Sequence, residues 1–191
     1  MRRHYDGKAL EDLQNRDEPT IFNLGVSGDT TDDLLVRIEN ETKARIWQDQ
    51  PVIVAIAIGT NDDVFESYNP KAPAESYRLN LQNIIDKVKP IAQSVILIGS
   101  TACDEKLTNP VPWADISYTN HELERAEKVI KEISESNNVT FIPMFSEFKA
   151  ALDAGDDLLE DGLHPNDNGH KFIADKILLA LDAHLQVNQD I

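Results

Sequence analysis

The sequence predicts an α/β protein with a mostly parallel sheet, and three observations carry that prediction. Short apolar, β-branched runs alternate with longer stretches of helical period, one of those runs is apolar at every position, and turn-forming residues follow the strands directly. The strands are expected at 20–24, 52–58, 94–98 and 139–143. The second, VIVAIAI, has no polar side, as a strand covered on both faces should, which places it near the middle of the sheet. Apolar residues recur at three- and four-residue intervals over 31–47, 74–92, 119–137 and 167–185, so each of these should form a helix lying on the sheet. Asp29 and Thr30 can cap the first helix, Pro73 sits at the entry of the second, and Asn137-Asn138 closes the third. The stretch 99–115, with Pro110, Pro112 and Trp113, reads as a long loop leaving the end of a strand.

A chain of 191 residues with 41% apolar content can build one core without staples, so residues 1–191 are expected to form one domain. The formal charge of -16 opposes binding to phosphate backbones and anionic lipid surfaces, so no nucleic acid is expected, and the partner should be neutral or cationic, or a small molecule. Cys103 is the single cysteine and reads as a buried thiol; no Cys/His cluster has zinc-ligand spacing. No apolar run is long enough to span a bilayer and the start has no signal-peptide core, so a cytoplasmic location is expected.

Three segments carry candidate chemistry: Asn23 to Thr31 (NLGVSGDTT), Gly59 to Asp62 (GTND) and Asp161 to Asn166 (DGLHPN). The first two follow strands and the third precedes the last helix. Parallel strands deliver their C-terminal ends to one edge of a sheet, so loops distant in sequence converge there. In D-x-x-H, Asp161 can accept a hydrogen bond from the His164 ring, fixing its tautomer and stabilising the imidazolium formed when the other nitrogen takes a proton. The same spacing also suits an ordinary turn, with Asp161 capping and Pro165 stiffening the entry to a helix. Asn61 can donate its side-chain amide, and Gly28 its backbone N–H, to negative charge developing at the sheet edge. Gly, Asn and Asp are equally the common residues of strand-to-helix loops. His170 falls within the last helical pattern, where packing or hydrogen bonding suits it better than a place in a metal cluster with Asp161, His164 and Asp167. A phosphate or flavin site over 25–31 is disfavoured by the absence of Lys and Arg from that loop.

Taken together and in this order, the three segments resemble the later blocks of the SGNH (GDSL-type) hydrolases, over nearly the whole chain from about Thr20. The resemblance implies a flavodoxin-like three-layer α/β/α sandwich and ester hydrolysis through an acyl-enzyme, acting on a small-molecule ester with no cofactor and no metal. It assigns His164 as the general base, Asp161 as its orienter, and Gly28 with Asn61 as the oxyanion hole.

The family's first block, an apolar strand followed by G-D-S, has no counterpart here. Residues 1–26 contain neither serine nor cysteine, and Thr20 is their one threonine. Thr30 and Ser27 are poorer candidates, since the first belongs to the glycine block and the second suits local hydrogen bonding. In the order 2-1-3-4-5 the first strand lies between the second and third. Its absence should leave 20–24 without a partner and expose the edge of 52–58, while the polar segment 2–18 is unsuited to fill the gap. The chain is therefore expected to be N-terminally incomplete, with Met1 an internal methionine or the sequence a fragment of a longer one. The alternative is a non-catalytic binding protein on the same fold.

Overall fold

The structure, a computed structural model, describes residues 20–47, 50–62, 65, 66, 69, 70 and 74–187. In chain order the elements are α1 (Thr31–Lys43), β1 (Ile53–Ala57), β2 (Phe65–Glu66), β3 (Asn69–Pro70), α2 (Ala74–Val88), β4 (Ser94–Ile98), α3 (Glu105–Thr108), β5 (Ile116–Ser117), α4 (Asn120–Asn137), β6 (Thr140–Ile142), α5 (Phe145–Ala154) and α6 (Asp167–Val187). The segment 2–18, Pro73 and most of the loop 64–73 lie outside the described residues.

The main sheet is parallel, in the order β1-β4-β6. Ile53 pairs with Ser94 and Ala57 with Ile98, and Ile98 in turn pairs with Ile142. Strand β4 shows why an uninterrupted apolar run suits the centre. Its Val95 and Leu97 enter a core with Ile38 of α1, Leu81, Ile84 and Ile85 of α2, and Ile130 of α4. The alternate residues Ile96 and Ile98 point the other way, against Ile142, Met144 and the α6 residues Phe172, Ile173 and Ile177. The result is the expected three-layer α/β/α arrangement. A third apolar cluster, with Cys103, Val111, Tyr118, Phe148 and Leu163, packs the loop after β4 against α5 and the segment before α6.

At one side of this sheet the strand at 20–24 and the central place of 52–58 are corrected, in the direction that the missing first block implied. Residues 20–24 form no strand; the segment is irregular, with Ile21 87% and Phe22 54% exposed. Strand β1 is not central but an edge strand among the described residues. It is covered on one face only: Ile56 is buried in the core, whereas Ile53, Ala55 and Ala57 are exposed. One cause accounts for both. Among the described residues nothing pairs with the free edge of β1, so 20–24 has no ladder to join and the outer face of β1 has no layer upon it.

Smaller departures have local causes. The first helix ends at Lys43, not Trp47, and the chain leaves it through turns in which Arg45 donates to the Thr42 carbonyl and Ile46 to that of Lys43. The second stops at Val88 because Pro90 disfavours helical backbone at Lys89. Asn138, left-handed at φ 51°, closes α4 as the Asn-Asn pair suggested. Within 99–115 the structure places the single turn α3, and just beyond it β5 joins β2 and β3 in a small antiparallel sheet that no periodicity announced.

The contrast between covered and bare apolar strands is measurable by urea unfolding. Leu97→Ala, at a fully buried position, should cost about 2–5 kcal/mol. Ala55→Lys, on the bare face of β1, should cost no more than about 0.5 kcal/mol. Equal losses would show that this face is covered in solution.

Candidate active site

The Asp161–His164 turn is built almost entirely from its own residues. The Oδ1 atom of Asp161 accepts the backbone N–H groups of Leu163 at 3.0 Å and His164 at 2.8 Å, while Oδ2 lies 2.8 Å from the His164 Nδ1. The bend requires Gly162, whose φ of +90° favours glycine and whose added Cβ would fall 2.6 Å from the Leu107 side chain. Around it, the Glu160 N–H donates to the His164 carbonyl, and Leu159 and Pro165 form an isolated antiparallel bridge. Asn166 then caps α6, its Oδ1 accepting from the N–H groups of Asn168 and Gly169 at 3.0 and 3.1 Å.

Partial burial pushes the Asp161 carboxyl up, but the backbone N–H of His164, the His164 ring and the Leu163 N–H outweigh it, leaving the group below its ordinary value. Asp161 is thus an anion across neutral pH, so the proton of the shared bond resides on Nδ1. Nε2 has no partner among the described residues, and the His164 side chain is 59% exposed, so its lone pair faces solvent. His170, expected to pack or bond within the helix, is exposed, and its backbone N–H donates to the Asn166 carbonyl.

The other two loops are tied together by a buried carboxylate. Asp62 is fully buried, and both its oxygens accept the Thr31 N–H at 3.0 Å, with the Thr31 hydroxyl donating as well. The Asn80 amide donates to the same hydroxyl at 3.1 Å and to Asp32 at 2.9 Å, drawing α2 onto the start of α1. Burial pushes the Asp62 carboxyl above its ordinary value against the pull of the Thr31 bonds. Thr30 caps α1, its N–H donating to Asp33 at 2.9 Å and its hydroxyl at 2.7 Å. Arg37 pairs with Asp29 at 2.6 Å and donates to the Leu24 carbonyl at 2.9 Å, fastening the loop from outside.

Within this frame Gly28 adopts φ +82°, its missing side chain would meet nothing within 4 Å, and its N–H donates to no described residue. Asn61, next to the Asp62 anchor, donates one Nδ2 hydrogen to the Asp29 carbonyl at 3.0 Å and accepts from the Tyr118 hydroxyl at 3.2 Å. The Asp62 anchor and the Tyr118 contact were not anticipated. Asp62 stands within a recognised motif but without a role, and Tyr118 lies just past the loop expected at 99–115. That loop borders the third motif too: the Asp104 N–H donates to the Gly162 carbonyl at 2.8 Å, and the half-exposed Trp113 ring lies 6.0 Å from the His164 ring. A cavity of about 530 Å³ between 103–107 and α5 is lined by Asp104, Glu105, Asp156, Asp157 and Glu160, but not by Asp161 or His164. Its acidic lining is unsuited to stabilising an oxyanion. Among the described residues no group of three or more His, Cys, Asp and Glu could hold a metal ion.

A family model of GDSL-like lipases and acylhydrolases matches residues 3–172. The chain belongs to the GDSL-like Lipase/Acylhydrolase family. Members of this family are ester hydrolases, and two further comparisons agree with that membership. An arylesterase of Vibrio mimicus is 24% identical over 173 residues, spanning 91% of this chain and 75% of the relative. The acetylxylan esterase Axe2 of Geobacillus stearothermophilus superposes with a TM-score of 0.64 at 25% identity, covering 83% of this chain and 70% of that one. LAE5, an alpha/beta hydrolase enzyme from the metagenome of Lake Arreo, shares the fold at a TM-score of 0.65 and 22% identity, with the same coverage of both chains. The GDSL-like fold therefore accounts for the parallel sheet and its helical layers. No helix of the described residues is long and apolar enough to cross a membrane.

Two outcomes follow for these anchors. Asp62→Ala leaves the Thr31 N–H and hydroxyl without their buried acceptor and should lower stability by about 3 kcal/mol in urea unfolding, against no more than about 0.5 kcal/mol for an exposed control such as Asp153→Ala. The Asp161 carboxyl is depressed in the folded state, so its stabilisation is complete above the unfolded-state value and is lost as pH falls through the folded one. Asp161→Asn should therefore match the parent in unfolding midpoint at the acid extreme and fall below it as pH rises past the ordinary carboxylate range. A constant gap at every pH would refute this account.

Proposed function

We propose that this chain is the proton-transfer and charge-stabilising part of a serine ester hydrolase, with His164 as general base, Asp161 as its orienter, and the Gly28 N–H and Asn61 amide as oxyanion donors. The observation that carries the reading is the 2.8 Å contact from Asp161 to Nδ1, which leaves the Nε2 lone pair free. Solved catalytic mutants of Axe2 support it: they replace a serine, an aspartate and a histidine, the last two at the same three-residue interval as Asp161 and His164. The substrate is a small-molecule carboxylic ester.

The nucleophilic serine belongs, in this reading, to a further parallel strand seated on the free edge of β1. Support comes from β1 itself, which among the described residues is bare on one edge and one face although every residue in it is apolar. A strand added there would deliver its C-terminal end beside Gly28 and Asn61, because parallel strands end at the same side of the sheet. The serine Oγ–H gives its proton to Nε2 as oxygen bonds the ester carbonyl carbon, and the carbonyl electrons move onto an oxyanion held by the two donors. Collapse breaks the bond to the leaving alkoxide, which takes the proton from Nε2. Water repeats the sequence on the acyl-enzyme, releasing the carboxylic acid and restoring the serine. The exposed Trp113 ring beside His164 offers an apolar wall to the group that leaves.

A fluorophosphonate probe tests the assignment. The chain as given should not label, whereas a chain extended by an apolar strand ending in G-D-S should label at that serine and hydrolyse a p-nitrophenyl ester. In the extended chain His164→Ala should lower kcat by at least about a thousandfold. Stoichiometric labelling of the present chain at Ser27 or Thr30 would overturn the placement of the nucleophile, and an extended chain that folds but never labels would favour a ligand-binding role.

A further inference from the structure

The side-chain amide of Asn61 has two N–H donors and one carbonyl oxygen, and the structure uses them unequally. One Nδ2 hydrogen goes to the Asp29 carbonyl at 3.0 Å; the Oδ1 atom accepts from the Tyr118 hydroxyl at 3.2 Å; the second hydrogen has no acceptor among the described residues. Exchanging the amide's oxygen and nitrogen would set Oδ1 against the Asp29 carbonyl oxygen, two acceptors facing each other, so the Asp29 contact fixes which way the amide faces. The Tyr118 contact then fixes its tilt. Two bonded points determine the plane of the group, and the direction of the remaining N–H follows.

Tyr118 is well placed for this. Its ring is buried, and its backbone is held on both sides: its N–H donates to the Thr108 carbonyl at 2.8 Å, and its own carbonyl accepts from the Thr108 hydroxyl at 2.8 Å and the Cys103 thiol at 3.6 Å. Thr119, the next residue, caps α4 by accepting from the Glu122 N–H. The hydroxyl therefore sits at the end of a rigid ring on an immobilised backbone, unlike a surface tyrosine free to swing. Donation to Oδ1 also withdraws electron density from the amide and strengthens its N–H groups as donors.

We propose that Tyr118 is a positioning residue for the oxyanion donor: it clamps Asn61 so that the unpaired Nδ2 hydrogen points at the place where negative charge develops. The inference rests on the role given to Asn61 above, and it adds a residue that no motif contains.

Two measurements test it separately from that role. In the present chain, Tyr118→Phe keeps the ring and removes the hydroxyl, and the Asn61 side-chain amide resonances in a nitrogen–proton NMR spectrum should move well beyond those of the other asparagines. Unmoved Asn61 resonances would overturn the clamp, whatever the activity. In the extended, serine-bearing chain, Tyr118→Phe should lower kcat about tenfold with KM changed less than twofold, against a loss of about a hundredfold to a thousandfold for Asn61→Ala. Combined with Asn61→Ala, Tyr118→Phe should cost nothing further, because its effect passes through the amide. Independent, multiplying losses would show that Tyr118 acts by packing alone and would overturn the proposal. Loss of the resonance shift refutes the clamp, whereas a shifted amide in an enzyme insensitive to Asn61→Ala refutes the oxyanion role on which it depends.

Discussion

The buried carboxylate of Asp62 is the constraint from which the arrangement of the candidate site follows. A carboxylate with no access to water must be met by donors, and here the donors are the N–H and hydroxyl of Thr31, at the first residue of α1. That requirement binds the end of β1 to the start of α1 across 31 residues of sequence. Everything beside the pair is placed by it. Asn61 precedes the carboxylate, the loop bearing Gly28 precedes the threonine, and the one hydrogen bond from Asn61 to Asp29 closes the small circle between them. Asn80 extends the same network to α2, so a polar cluster sits where α1 and α2 meet.

Each half of the site is satisfied in a different manner. The histidine turn gathers its bonds from its immediate neighbours, whereas the donor loops depend on residues brought in by the tertiary fold. The loop from 99 to 119 is the connection between them. It gives Trp113 to the histidine, Leu107 and the Asp104 N–H to Gly162, and the Tyr118 hydroxyl to Asn61. Its packing around Cys103, Val111 and Phe148 makes it a structured wall and not a flexible cover.

How much of this could be read in advance depended on the range of the interactions. Asp161 and His164 lie within one turn, so their spacing alone suggested the bond that the structure contains. The helices and β4 were legible because burial on defined faces imposes a period. Residues 20–24 and β1 pointed two ways, to strands by composition and to an unpartnered segment and an exposed edge by the missing first block, since whether an apolar run becomes a central strand, an edge or no strand at all is decided by its neighbours. VIVAIAI has the composition of a doubly covered strand, yet among the described residues only one of its faces is covered. Tyr118 and Asn61 are 57 residues apart, and a single hydroxyl meeting a single amide leaves no repeat for periodicity to detect. Asp62 occupies a middle position: its motif was visible, but nothing local distinguishes a carboxylate that caps its own turn from one that anchors a distant helix.

The self-contained character of the turn before α6 has a consequence for the order in which the molecule assembles. Its bonds, from the Asn168 amide to the Asp157 carbonyl and inward to Asp161 and His164, span at most 11 residues. The register of β1 on β4 joins residues 41 apart. Chain segments of the first length close on a timescale of about 10–100 ns, whereas non-local strand pairing must first overcome the entropy of a long loop. The imidazole and its carboxylate can thus find each other while the sheet is still incomplete. The proton acceptor of this fold is a local habit of the chain, to which the rest of the architecture is added.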